Sequence, residues 1–331
     1  MLKYLIRRLL IAIPTLIVIS IVCYVVISAP AGDVIEEYEM RLYQTQGYSV
    51  EAARQVGDQL REQYGLAGPL PVRYLYWVSH FVQGDFGISL VTMNSVASIV
   101  MPRLGITVLI SLLSLALSWV VGVLLGIFAA LFRGSIADTI FSVLGLITLS
   151  IPPFLIGLGL LVLVVVGFGA SPPIGLFSAV YRDAPWSFAK VLDLAWHLWI
   201  PVLVAGLAGA ASIMRIMRAN LLDEVRKPYV ETARAKGVPD RLVIFRHAAR
   251  LAINPLIALL GMEFPLVISN GIVISIVVGL PTIGPVLQEA LVARDIYVAI
   301  AILMLLGVLL IIGNLVADML LAWVDPRVRY S

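Results

Sequence analysis

Three stretches without one charged residue, Leu9 to Ser28, Leu104 to Phe132 and Thr139 to Tyr181, limit what this chain can become. A helix crossing hydrocarbon takes about 20 mostly apolar residues, and irregular backbone facing lipid would leave its N–H and C=O groups without partners. Three further stretches qualify: about Ala195 to Met214, Ala252 to Val278 with one Glu inside, and Tyr297 to Trp323 with one Asp near its end. The expectation is an all-α polytopic membrane protein with six transmembrane helices, the third ending near Gly167. Composition agrees, with 61% hydrophobic and 13% charged residues and a mean hydropathy of +1.02. A soluble domain carries about 25% charged residues. Disorder, collagen and a disulfide scaffold are excluded, because the 26 Gly and 18 Pro follow no fixed period and Cys23 is the sole cysteine.

The charges sort by side. One face collects 15 of the 23 basic residues: Lys3, Arg7, Arg8, Arg133, nine between Arg215 and Arg250, and Arg327 with Arg329. Between Pro30 and Arg103, five basic residues meet eight acidic ones, which suits an external segment. Lys and Arg in short loops mark the cytoplasmic side, and an even number of spans brings both termini there. The net charge of +3 and the pI near 9.0 then report topology rather than a nucleic-acid partner. The N-terminus is basic, then apolar, and ends in the small-x-small run Ala29-Pro30-Ala31. Its apolar core is longer than that of a signal peptide, so it reads as an uncleaved first span. Residues 1–29 are thus the tail and first span, 30–103 a mostly helical external segment, and 104–331 a five-helix core with a cytoplasmic loop at 219–250.

Two segments outside the spans exceed what connection requires. In the external one, Ser49 is placed to cap a helix whose Ala52, Val56, Leu60 and Tyr64 recur at i, i+4, and Gly65 supplies a left-handed stop. Tyr74, Tyr76, Trp77 and Phe81 follow, in the pattern of an amphipathic helix at the membrane interface, and Gly84-Asp85-Phe86-Gly87 breaks it. The segment is either a lid packed on the bundle or a docking surface for something that delivers solute. In the cytoplasmic one, Asn220 to Lys227 continues a helix and Pro228 interrupts it. Tyr229, Val230, Glu231, Thr232, Ala233, Arg234, Ala235 and Lys236 then make about two turns before Gly237 and Pro239. So short a helix is marginal alone. Either Ala233 and Ala235 lie against a partner's groove with Glu231 and Arg234 fixing orientation at the rim, or this is an ordinary basic loop.

Here the sequence resembles an ABC importer permease of the oligopeptide/dipeptide, binding-protein-dependent family. Glu231-x-Ala233, Gly237 and a later Pro255 resemble the "EAA" loop of such permeases, and Tyr229-Val230 with Thr232 to Gly237 resembles its form in the oligopeptide branch. Further likenesses, in the family's order, are Tyr64-Gly65-Leu66 with Pro69-Leu70-Pro71, Gly84-Asp85-Phe86-Gly87, Ser150-Ile151-Pro152-Pro153-Phe154 and Asp325-Pro326-Arg327-Val328-Arg329. The resemblance covers nearly the whole chain. It implies a type I importer subunit of the cytoplasmic (inner) membrane, working by alternating access with a second homologous permease, two ATPase subunits and an extracytoplasmic solute-binding protein. ATP and Mg would sit on the ATPase subunits, with no cofactor on this chain, and the helix at 229–237 would couple them to the spans. One departure stands out. Where relatives show Glu-Thr-Val-Phe before Pro-Gly-x-Gly, this chain has Ser275, Ile276, Val277 and Val278 before Gly279-Leu280-Pro281-Thr282-Ile283-Gly284. That leaves oligosaccharides and nickel chelates beside di- and oligopeptides as solutes.

Other chemistry is not written here. The Gly-x-x-x-x-Gly-Lys-Ser/Thr phosphate loop is missing, so the chain is read as a permease and not an enzyme. His80, His197 and His247 lack ligand spacing, which argues against a metal, and no His-Glu-x-x-His or Gly-x-Ser-x-Gly occurs. Glu263 and Asp318 are the carboxylates within spans, and each must face protein or water. Glu263, with Ser269, Asn270 and Ser275, is either a polar lining of the solute path or a bond to a neighbouring helix. Asp318 is expected to make a structural contact. Pro152-Pro153, Pro201, Pro255 and Pro265 remove backbone donors, and either kink the spans around a path or reflect the commonness of Pro in membrane helices. An ion-driven secondary transporter would show related halves, and no half-length repeat is evident. A receptor or structural protein gives no reason for a helix bounded by Pro228 and Gly237.

Overall fold

The structure, a computed structural model, describes residues 2–28, 34–89 and 91–324. Ala29-Pro30-Ala31 and the Asp325 to Arg329 pattern lie outside them. The described residues form helices α1 (Leu2–Ser28), α2 (Val34–Gln46), α3 (Val50–Gln63), α4 (Leu70–Val82), α5 (Val96–Leu131), α6 (Ile136–Ser150), α7 (Pro153–Val162), α8 (Phe188–Glu224), α9 (Pro228–Ala235), α10 (Asp240–Leu242), α11 (Ala249–Ala252), α12 (Asn254–Val277), α13 (Ile283–Val292) and α14 (Ile296–Val324). Apart from one isolated bridge, Ile88 to Ser95, no strand pairing occurs among them.

The all-α polytopic architecture holds, and five helices are long and apolar enough to cross a membrane: α1, α5, α8, α12 and α14. The third expected span is not straight. It is the pair α6 and α7, bent by 105° at Ile151-Pro152. A residue before proline is driven out of the helical region, and here that happens twice in succession, leaving Ile151 at ψ 128° and Pro152 at ψ 133°. The other prolines behave differently: Pro14, Pro102, Pro201 and Pro265 lie inside helices that continue, and Pro255 sits in the first turn of α12, where its missing donor costs nothing. Helix α8 begins seven residues before the span expected from Ala195, at a start capped by Ser187, whose hydroxyl accepts from the Lys190 N–H.

Packing divides the chain into two compact units, one of Ile6–Gly105 with Thr282–Ile311, the other of Met1–Leu5, Ile106–Pro281 and Ile312–Ser331. The expected external segment at 30–103 is therefore joined by α13 and the first half of α14. In that unit Trp77 is 2% exposed, between Tyr24 and Phe81 at ring-centroid distances of 5.6 and 5.1 Å. Tyr74 meets Ser20 at 2.8 Å, tying α4 to α1. Tyr74, Trp77 and Phe81 share a helical face and turn into protein, while Val72, Leu75 and Tyr76 form the exposed side of α4. Ser49 caps α3 as its sequence suggests, accepting from Ala52 N–H at 3.2 Å. Gly65 takes φ +67°, and a Cβ there would run into the Tyr76 ring. Helix α2 was not foreseen. Its Glu39 lies directly over Gly57 of α3, where any larger residue would overlap the carboxylate.

In the other unit α8 packs against α6, α7 and α12. Small residues bring α5 and α8 together: a Cβ on Gly122 would come within 2.8 Å of the Ala210 carbonyl oxygen, and one on Gly126 within 2.7 Å of that of Met214. Such close backbone approach is how helices associate where lipid removes the hydrophobic drive. Ser118 adds a hydrogen bond to the Gly206 carbonyl at 2.7 Å.

Candidate functional site

The segment after α8 folds as a helix between two bends. Helix α8 ends at Glu224, Pro228 opens α9 at its first position, and Gly237 follows at φ +76°. Gly237 N–H closes on the Arg234 carbonyl at 2.9 Å, and Val238 N–H on that of Ala233 at 3.2 Å, so the helix end is satisfied locally. Pro239 falls at the cap of α10 rather than inside its first turn.

What holds α9 is its own chain. Val230 is fully buried against a cluster that includes Met217, Leu221, Val243 and Ala248. Ala233 is half-buried and packs in part on the same cluster, while Ala235 is exposed. Glu231, Thr232, Arg234 and Lys236 are exposed as well. Arg234 Nε lies 2.8 Å from Asp240 Oδ1, so this guanidinium braces α9 to α10. Thr232 bonds back to the Pro228 carbonyl at 2.9 Å. The result is a short helix with an apolar seat and a polar outer face.

Glu224 fixes the entry to α9. It takes the Lys227 ammonium at 2.5 Å and the Tyr229 hydroxyl at 2.8 Å. Burial first, and then the Glu224 carboxylate, push the Tyr229 phenol up to about 12. Because the folded value lies above the ordinary one near 10, the contribution of the neutral phenol is whole below that pH and disappears as pH rises through about 12. The difference in phenolate absorbance between wild type and Tyr229→Phe should rise near pH 12. A rise near the ordinary tyrosine value would contradict the bond.

The polar residues of α12 do not form one line. Glu263 and Asn270 are seven apart, two helical turns, and share a face; both are half-buried. The Glu263 carboxylate lies beside Gly209 and Ser118, where a Cβ on Gly209 would be 3.3 and 2.7 Å from the two side chains. Ser269 is exposed on another side of the helix. Ser275 is fully buried with its hydroxyl on the Ile272 carbonyl at 2.7 Å, which does not suit a lining group. Asp318 is half-buried and engaged.

Sequence reasoning missed a two-pronged ion pair on a buried carboxylate. Asp138, 4% exposed, takes Arg218 Nε and Nη2 at 2.8 Å each and the Gly134 N–H at 3.0 Å, joining α6 to α8. The signal was present as Ser135-x-x-Asp138, a capping box in which Ser135 accepts from the Asp138 N–H at 3.2 Å. Also missed was Lys190, 7% exposed, whose ammonium bonds the Ala184 carbonyl at 2.6 Å and sits over the rings of Phe177 and Trp186. Among the described residues no cluster of His, Cys, Asp and Glu has the makings of a metal site.

Comparison with known proteins bears on this geometry. Residues 122–330 match the family of binding-protein-dependent transport system inner membrane components. Over all of both chains the sequence is 36% identical to a putative peptide permease protein of Brucella ovis. It is 34% identical to the oligopeptide transport system permease protein AppB of Bacillus subtilis and 32% to the glutathione transport system permease protein GsiC of Escherichia coli K12, again at full length.

Proposed function

The chain belongs to the family of binding-protein-dependent transport system inner membrane components, and on that premise we propose that it is the permease subunit through which an ATP-driven importer moves di- or oligopeptides by alternating access. It is a multi-pass membrane protein of the ABC importer type. In this reading the basic face is cytoplasmic, both termini lie there, and α9 is the contact with separate ATPase subunits that bind ATP and Mg. A second homologous permease completes the path, and an extracytoplasmic binding protein delivers solute to the face that carries α2 to α4.

The observation that carries coupling is the construction of α9. A helix seated by Val230 and Ala233, bounded by Pro228 and Gly237 and polar outward, passes on a push as a rigid body. Peptide as cargo is supported by the names of full-length relatives. Glutathione, a small peptide itself, is the second reading, on the strength of the relative named for it. Proteoliposomes holding the four membrane and motor subunits, supplied with binding protein and internal ATP, should accumulate a labelled tripeptide or glutathione. Accumulation of a labelled oligosaccharide with neither of these would overturn the cargo.

A further inference from the structure

We propose that the face formed by α10, α11 and the turn between them docks on anionic phospholipid, in the headgroup layer on the basic side of the membrane. Helix α10 runs through a π-helical turn, Val243–Ala248, into α11, and α11 leads on to the span α12. Val243, Ala248, Ala249 and Ala252 are buried and hold this stretch to its own chain. What it leaves in the open mixes apolar and basic groups. Leu242, Phe245 and Leu251 are 44, 54 and 43% exposed, and Arg241, Arg246, His247 and Arg250 are exposed among them. Its one acid, Asp240, is taken by Arg234 at 2.8 Å. None of Arg241, Arg246 and Arg250 makes an ion pair with a described residue.

The depth of this face follows from α8. Arg215 and Arg218 are the first charges after its apolar run, and Arg218 meets Asp138 in the first turn of α6, so the two spans leave hydrocarbon at one level. Asn220 donates to the Ala252 carbonyl at 3.1 Å, which pins the end of α11 close to that level. Asn220 stands five residues beyond Arg215, a rise of about 7.5 Å along the helix. The polar layer outside the hydrocarbon is about 5 to 7.5 Å deep on each side. At that depth apolar side chains enter the acyl boundary while guanidinium groups stay among the phosphates, as in amphipathic segments bound to a bilayer surface. Guanidinium pairs its N–H donors with phosphate oxygens, and basic groups beside a span draw anionic lipid. Helix α9 differs. It carries both signs of charge and exposes no large apolar side chain, which suits a protein partner. Lipid docking thus adds to the ATPase contact proposed for α9 and does not depend on it.

The test uses the complete transporter, otherwise stripped of cysteine, with a bimane label on Phe245→Cys. It is placed in nanodiscs of phosphatidylcholine in which a minor fraction of the lipid is brominated on its chains, either as phosphatidylcholine or as phosphatidylglycerol. Brominated phosphatidylglycerol should quench the label at least twofold more than brominated phosphatidylcholine. With Arg241→Gln, Arg246→Gln and Arg250→Gln combined, the two lipids should quench alike. High salt screens exposed charge and should also shrink the preference, which keeps the test open on unchanged arginines if the triple variant fails to assemble. No quenching by either lipid, or equal quenching by both, would overturn the proposal, as would a preference that survives the substitutions or, where only that arm can be read, the salt. Quenching that occurs in the permease pair and vanishes once the ATPase subunits are bound would give this face to the ATPase, and would overturn it equally.

Discussion

Gly237→Pro is expected to leave an importer that hydrolyses ATP and transports at least tenfold less than wild type. Proline fixes φ near −65°, whereas this position stands at +76°, and it also removes the N–H that closes on the Arg234 carbonyl. The end of α9 must then unwind or swing, and on the coupling role proposed for it the push from the ATPase would be lost. Ala233→Asp attacks the other side of the same helix by placing a carboxylate on the seat formed with Val230 and Val243. Burying a charge without a partner is costly, so α9 should leave its seat. Both variants lie outside the spans and should insert normally. Uptake and ATPase rates measured together in proteoliposomes check this; wild-type uptake in both variants would refute the coupling role of α9.

Asp138→Ala should cause the largest loss of stability. Removing one partner of a buried ion pair costs about 3–5 kcal/mol. Arg218 retains 30% side-chain exposure, so part of its charge can return to water, and the low end is expected, about 3 kcal/mol. The substitution also takes away the carboxylate that accepts from the Gly134 N–H just before α6. Asp138→Asn keeps acceptors for one of the arginine bonds and should fall between. Thermal unfolding in detergent checks the order, with wild type most stable and Ala least. An unchanged melting point for Asp138→Ala would show that α6 and α8 are held by apolar packing alone.

How legible this molecule was in its sequence depended on whether a signal was local. Long apolar runs announced the five continuous spans and the position of the bent sixth, because the lipid constraint acts residue by residue. The Pro228 and Gly237 boundaries of α9 were equally plain, since both residues act through their own backbone. Contacts between distant segments were not. That Val230, with part of Ala233, seats α9 on Met217, Leu221 and Val243 is a contact between separated segments that only the fold shows. Helix α2 is hard to read from sequence because its polar and charged residues outnumber its apolar ones, yet it buries Ile35 and Leu42, two turns apart, and fits Glu39 over Gly57. Ser275 matched a polar lining by type, but the turn of α12 carries it inward.

The most direct test of the coupling role places a photoreactive residue at position 235, the exposed small residue on the outer face of α9, in cells that accumulate peptide. Irradiation should join this chain to an ATPase subunit, and the yield should fall when Ala233→Asp is combined with it. An assembly that imports peptide yet gives no ATPase cross-link from this position would contradict the assignment.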